Sequence, residues 1–191
     1  MSSHMLRDLP ETELAVRAHA GDLTAFGELV NRYSAQARRV ARSVLNDTDD
    51  GDDAAQDAFL SALKNLGRYD PSRPFGPWLM RIVANAAVDR RRRKKVRAVE
   101  ALSPATPTSR SGPASETDRR AMLSVLEEAL KRLPERQRVA VVLFDVEGYS
   151  HAEIAEIISV PQGTVRSDVF HARRALRTAL KPWQDWKEEV I

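Results

Sequence analysis

The sequence contains no cysteine. Disulfide staples, thiolate nucleophiles and cysteine metal sites are therefore excluded, and the composition fits a reducing compartment. Aromatic residues make up only 6% of the chain. No apolar run approaches the roughly 20 residues that a membrane-crossing helix needs. No signal peptide is expected either, because acids interrupt the first 25 residues and no continuous apolar stretch follows. Met1 to Met5 resembles an expression scar, so natural numbering is expected to begin at Met5. The sequence also lacks a glycine-rich phosphate loop, a nucleophile elbow and catalytic-triad spacing. His4, His19, His151 and His171 are scattered without metal-ligand spacing. No enzyme activity, cofactor, metal or small-molecule substrate is therefore expected.

What is present is enough to fold. The chain has 191 residues, 42% hydrophobic and 30% charged, which suits one or two domains with buried cores. The net charge is +3, yet Arg90, Arg91, Arg92, Arg93, Lys94, Lys95 and Arg97 alone carry +7, which leaves −4 elsewhere. One dense basic block on a mildly acidic protein suggests a local polyanion contact. Its opposite lies upstream, where Asp47, Asp49, Asp50, Asp52 and Asp53 crowd into seven positions.

Residues 101–117 hold eleven Pro, Ser, Thr or Gly and a single large apolar residue, Leu102. No core can form there, so the segment reads as a flexible linker. Before it, Phe26, Leu29, Val30, Tyr33, Ala37, Val40 and Val44 recur at helical spacing. Asp52 and Asp53 suit the N-terminus of a second helix, with Ala55, Phe59, Ala62, Leu63 and Leu66 on one face and Gly67 as its cap. Pro71, Pro74 and Gly76 make a loop, and Trp78, Leu79, Ile82, Val83 and Ala86 mark a third helix that runs into the basic block. Trp78 invites a stacking role, although its spacing with Leu79 and Ile82 suits a core position.

After the linker, Met122, Val125, Leu126, Ala129, Leu130 and Leu133 repeat at helical spacing until Pro134 stops them. Val139, Val142, Leu143 and Val146 build the next helix, ended by Gly148. Ser150 and Glu153 form a capping box before Ile154, Ala155, Ile157 and Ile158. Val160 to Gly163 make a turn, and Val165, Val169, Ala172 and Leu176 define a last long helix. No strand alternation appears. The fold class is therefore all-α: two small helical domains joined by a flexible linker.

A capped short helix, a tight turn and a second helix form a helix-turn-helix pattern. The second helix carries Thr164, Ser167, His171 and Arg174 opposite its apolar face, with Arg166, Arg173 and Arg177 at the flanks. Such a face suits a major groove, with Thr164 or Arg166 at base edges and Arg173 and Arg174 at phosphates.

Leu133-Pro134-Glu135-Arg136-Gln137-Arg138, Glu147-Gly148-Tyr149-Ser150 and Pro161-Gln162-Gly163-Thr164-Val165-Arg166-Ser167 lead to Ala172-Arg173-Arg174-Ala175-Leu176-Arg177. This series resembles region 4 of the extracytoplasmic-function (ECF) sigma factors. The first half matches separately. Asp53-Ala54-Ala55-Gln56-Asp57-Ala58-Phe59-Leu60 resembles the family's polymerase-binding helix. Phe75-Gly76-Pro77-Trp78-Leu79-Met80-Arg81 through Asn85 to Asp89-Arg90-Arg91 resembles the segment that melts and reads the minus-ten element. The resemblance spans about residues 22–180.

It implies an N-terminal segment 1–21, region 2 at 22–100, the linker at 101–117, region 4 at 118–180 and a tail at 181–191. It implies a sigma factor that binds core RNA polymerase, reads promoter DNA and is controlled by an anti-sigma factor, itself often membrane-anchored. The cytoplasm is then the expected location. Asp53, Gln56, Asp57, Phe59 and Leu60 would dock on the clamp helices of the β′ subunit. Arg81, Asn85, Asp89, Arg90 and Arg91 would serve the minus-ten strand, with loop 66–75 accepting an extruded base. Thr164, Val165, Arg166, Ser167, His171, Arg173 and Arg174 would serve the minus-35 element. Asp168 and His171 depart from the family's basic residues, and Asp168 is expected to repel phosphate. The linker, roughly 20–25 Å as a coil and at most about 60 Å extended, tethers domains that must reach elements roughly 70 Å apart. Trp183 and Trp186 in the tail would pack back on the domain or meet a regulator. A stand-alone operator-binding helix-turn-helix regulator is the alternative; it leaves the first half unexplained.

Overall fold

The structure, a computed structural model, describes residues 6–100 and 115–183, with side chains at 6–94 and 119–183. Among the described residues there are eight α-helices and no strand. They are α1 (Glu11–His19), α2 (Leu23–Leu45), α3 (Thr48–Asn65) and α4 (Phe75–Glu100), then α5 (Ser115–Arg132), α6 (Glu135–Val141), α7 (His151–Ile158) and α8 (Gln162–Ala179). Most of the expected linker, Trp186 and His4 lie outside the described residues, and the backbone of α5 already begins at Ser115.

Local chemistry sets the helix ends. Asp22 accepts from the N–H groups of Thr24 and Ala25 at 2.9 and 3.1 Å and opens α2. Asn46, left-handed at φ 56°, ends it. Asp47 then accepts from the Asp50 N–H at 3.0 Å, so α3 starts earlier than Asp52 and Asp53 suggest. An acid caps only from outside the first turn, where an orphan N–H faces it. Asp52, inside the helix, turns sideways to the Arg42 guanidinium at 2.9 and 3.1 Å. Gly67 is no left-handed cap. The helix tightens into a 3-10 turn over Leu66–Arg68 with Gly67 inside it. Ser150 and Glu153 do form the capping box of α7. The single helix expected from Val139 to Val146 is interrupted: α6 widens into a π-turn over Val142–Val146, and Gly148 at φ 76° follows.

The buried face of α3 is Gly51, Ala54, Ala55, Ala58 and Ala62. These small side chains let α2 and α4 approach closely, and a Cβ on Gly51 would collide with Arg42. Leu29, Val40 and Val44 of α2 and Phe75, Leu79, Met80 and Val83 of α4 fill the space between. Tyr33, Tyr69, Phe75 and Trp78 form an aromatic cluster with centroids 5.0–5.8 Å apart, which makes Trp78 a partly buried packing residue.

The two halves share this core. Val139, Leu143, Tyr149, Ile154 and Ile157 belong to the same buried cluster as the residues of α1–α4. Arg138 staples the junction: its Nε donates to the Ser43 carbonyl of α2 at 2.5 Å, and its Nη1 donates to carbonyls at the end of α5. Those carbonyls form the negative end of a helix dipole, a fitting partner for a buried cation.

Candidate nucleic-acid interface

The helix-turn-helix is built as the sequence suggests. Ser159 at φ 56° ends α7, and α8 starts at Gln162 after Pro161. Val165, Val169 and Ala172 are buried. Val165 is fully buried and cannot touch DNA, which removes it from the reading face. At about 100° per residue, Ser167, Phe170 and Arg174 fall nearest the pole opposite Val165, and all three are exposed. Arg166 and His171 are also exposed, on either side, and Thr164 is half-buried. Phe170 is 61% exposed and edge-on to His171; its angle on the helix wheel, away from Val165 and Val169, is the sequence signal for that exposure.

Asp168 overturns a second expectation. It repels nothing at the surface, because it is 4% exposed and paired with Arg136 of α6, Nε to Oδ2 at 2.5 Å. The carboxylate raises the Arg136 pKa through that hydrogen bond. Arg173 pairs with Asp145 of the π-turn, and its guanidinium lies 4.9 Å over the Phe144 ring, itself stacked on His151. Arg173 therefore holds α8 to the π-turn and also lines, with Arg166, Arg174 and Arg177, an open groove of about 480 Å³.

On α4, Arg81, Asn85 and Asp89 are exposed. Three of the basic residues after them, Arg90, Arg91 and Lys94, are already engaged. Arg90 meets Asp50 at 2.9 Å and Asp53 at 2.7 Å, Lys94 meets Asp47 at 3.1 Å and Asp50 at 2.5 Å, and Arg91 pairs with Glu135. Asp47 lies below the ordinary carboxylate range, first through the Asp50 N–H and then through Lys94; Asp50 is lowered chiefly by the Lys94 ammonium. Arg90 and Lys94 thus clamp α4 to the acidic run at the start of α3. Loop 66–75 is ordered by Tyr69, whose hydroxyl donates to the Arg73 carbonyl at 2.5 Å and is pushed up to about 12 by burial. Asp70 accepts from the Ser72 hydroxyl and N–H, which lower it.

Asp53, Gln56, Asp57 and Leu60 lie at i, i+3, i+4 and i+7 on the outer face of α3, and all are exposed. Phe59 is partly buried behind them. Leu60 at 53% and Leu63 at 37% extend that strip with apolar surface.

Residues 29–97 match the Sigma-70 region 2 family and residues 123–176 match Sigma-70 region 4. The ECF RNA polymerase sigma factor SigM of Mycobacterium tuberculosis is 38% identical over 170 residues, 89% of this chain and 84% of that protein. The ECF RNA polymerase sigma-E factor of Escherichia coli is 34% identical over 191 residues, 93% of this chain and 98% of that protein. Among solved structures, CnrH in complex with the cytosolic domain of CnrY superposes with a TM-score of 0.68 and 29% identity, covering 90% of this chain and 97% of that one.

Proposed function

Because the chain belongs to the ECF RNA polymerase sigma factors, we propose the following division of labour among its surfaces. The chain itself carries out no catalysis; it gives promoter specificity to the core enzyme, whose active site makes the RNA. The outer strip of α3, with Asp53, Gln56, Asp57 and Leu60, docks on the polymerase clamp helices. Arg81, Asn85 and loop 66–75 take the non-template strand at the minus-ten element, where unstacking a base costs a few kcal/mol. Asp89, one turn past Asn85, orients that face, and Arg90 and Arg91 supply strand phosphates with cations once their carboxylates let go. Ser167, Phe170, His171 and Arg174, flanked by Thr164 and Arg166, read the minus-35 duplex, while Arg173 holds the reading helix in place. The boundaries proposed are region 2 over 22–100 and region 4 over 118–180. The protein works in the cytoplasm under an anti-sigma factor, as CnrH is seen bound to CnrY.

The observation that carries this reading is the pairing, in one chain, of an exposed polar-apolar strip on α3 with an exposed basic reading face on α8. The test is run-off transcription with bacterial core polymerase and a pool of genomic promoter fragments. New transcripts should appear only when the protein is added. Asp57→Lys with Leu60→Glu should abolish them and leave the helical content intact; Asp53 is a poorer target because it also holds Arg90. Duplex binding without polymerase, and no transcripts, would point to an operator-binding regulator instead.

A further inference from the structure

The surface proposed for the minus-ten strand faces the other half of the chain across two clefts. Glu153 and Glu156 of α7 face Arg73, Trp78 and Arg81 across a cleft of about 290 Å³. Glu156 stands 3.8 Å from the Arg73 guanidinium. Further along α4, Asn85 lines a second cavity of about 350 Å³ with Glu135 and Arg136 of α6, and Glu135 pairs with Arg91. Carboxylates of α6 and α7 therefore stand along the same line of cations that strand phosphates would follow.

Three further contacts seat those carboxylates. Glu147 takes Arg39 of α2 bidentately, at 2.6 and 2.9 Å. Tyr149, buried, reaches Gln36 at 3.4 Å and crowds Gly76 at the start of α4. Arg138 donates across the junction to Ser43. Ile154 and Ile157 of α7 are fully buried in the shared core.

We propose that α6 and α7 are an intramolecular competitor for the non-template strand, with Glu135 and Glu156 occupying the cations of Arg91 and Arg73. The inference rests on the minus-ten reading given above. It adds that this surface is closed by the chain's own region 4 until the two halves separate. The affinity of the free protein for the strand is then its intrinsic affinity multiplied by the open fraction.

The absence of cysteine allows a clean test on the full chain. A dye pair on Thr12→Cys and Lys181→Cys, both exposed, reports the separation of the halves. The probe is a labelled 20-nucleotide non-template strand from the strongest promoter recovered by run-off transcription. The triple variant E135Q/E147Q/E156Q should lower energy transfer and raise affinity for the strand about three- to tenfold. Gly76→Ala combined with Tyr33→Phe should act in the same direction by sterics, because the Cβ would lie 2.9 Å from the Tyr149 hydroxyl of the other half, and the second substitution removes the Tyr33 hydroxyl that would otherwise lie 2.8 Å from it. Unchanged affinity in both variants overturns the proposal. Lower transfer without tighter binding also overturns it, since closure would then not compete with DNA. Adding Arg81→Ala to the triple variant should abolish the gain. If the gain survives, the minus-ten reading has failed and the competitor falls with it; if Arg81→Ala abolishes holoenzyme transcription but the triple variant gains nothing, only the competitor has failed.

Discussion

Single residues of α8 divide into those left facing outward and those that hold the helix in place. Arg173 is tied to Asp145 and Phe144, whereas Arg174 faces outward. Arg174→Ala should weaken minus-35 binding, lower the salt slope by about one and leave thermal stability unchanged. Arg173→Ala should lower both stability and affinity. Thermal denaturation alongside a salt titration of duplex binding separates the two. The Asp168–Arg136 pair is asymmetric, because the carboxylate is buried and the guanidinium is half-exposed. Removing Arg136 strands a buried charge, so Arg136→Ala should destabilise the fold. Asp168→Ala leaves only a solvated guanidinium and should cost less, a difference that urea denaturation resolves. The exposed face of α8 was legible from the wheel of apolar residues. The inward turn of Asp168 was not, because its partner lies 32 positions away on another helix.

At the scale of the element, α3 and α4 are held by opposite charge as well as by apolar packing. Asp47 and Asp50 have pKa values below that of an unfolded aspartate, so they stabilise the folded state fully above the unfolded pKa, near 3.8. That contribution is lost as pH falls from there through the lower folded pKa values. Urea midpoints measured between pH 6 and pH 3 should fall, and Lys94→Met should flatten that fall. The packing side of the same helix pair rests on Gly51. Gly51→Ala forces its Cβ against both the side chain and the backbone of Arg42, and should destabilise by about 1–3 kcal/mol despite better helix propensity. Helix identities were readable because apolar spacing repeats over many residues. Their ends were less so. Asn46 and Asp47 outweighed the more conspicuous Asp52 and Asp53, and nothing local announced the π-turn, within which Leu143 is buried in the shared core and Asp145 pairs with Arg173.

Over the whole molecule, the sequence shows two halves and a low-complexity joint, but not how the halves meet. Arg39 and Glu147 are 108 positions apart and neither has a local signature of pairing. Arg138 looked like one more base in a family motif, yet it is 8% exposed and bridges the halves through carbonyls. The closed form should give a radius of gyration near the roughly 16 Å of a single packed body of this length, enlarged only by its ends and joint. Small-angle scattering of the free protein at low salt measures this directly. Raising salt screens the exposed Arg73–Glu156 pair and, less, Arg39–Glu147, whose carboxylate is buried, and should expand the particle only modestly, because Ile154, Ile157 and Tyr149 remain apolar anchors.

The crowding at Gly76 has a consequence for how this chain can vary over generations. The hydroxyls of Tyr33 and Tyr149 both come within 3 Å of where a Cβ at position 76 would sit, and Glu11 fixes Tyr33 from the far side at 2.5 Å. Positions 33, 76 and 149 are therefore not free to drift one at a time. A descendant that acquires a side chain at 76 must shorten its neighbour at 149 or live with its halves apart. Inheritance at these three sites, distant along the gene, is bound together by one missing methyl group.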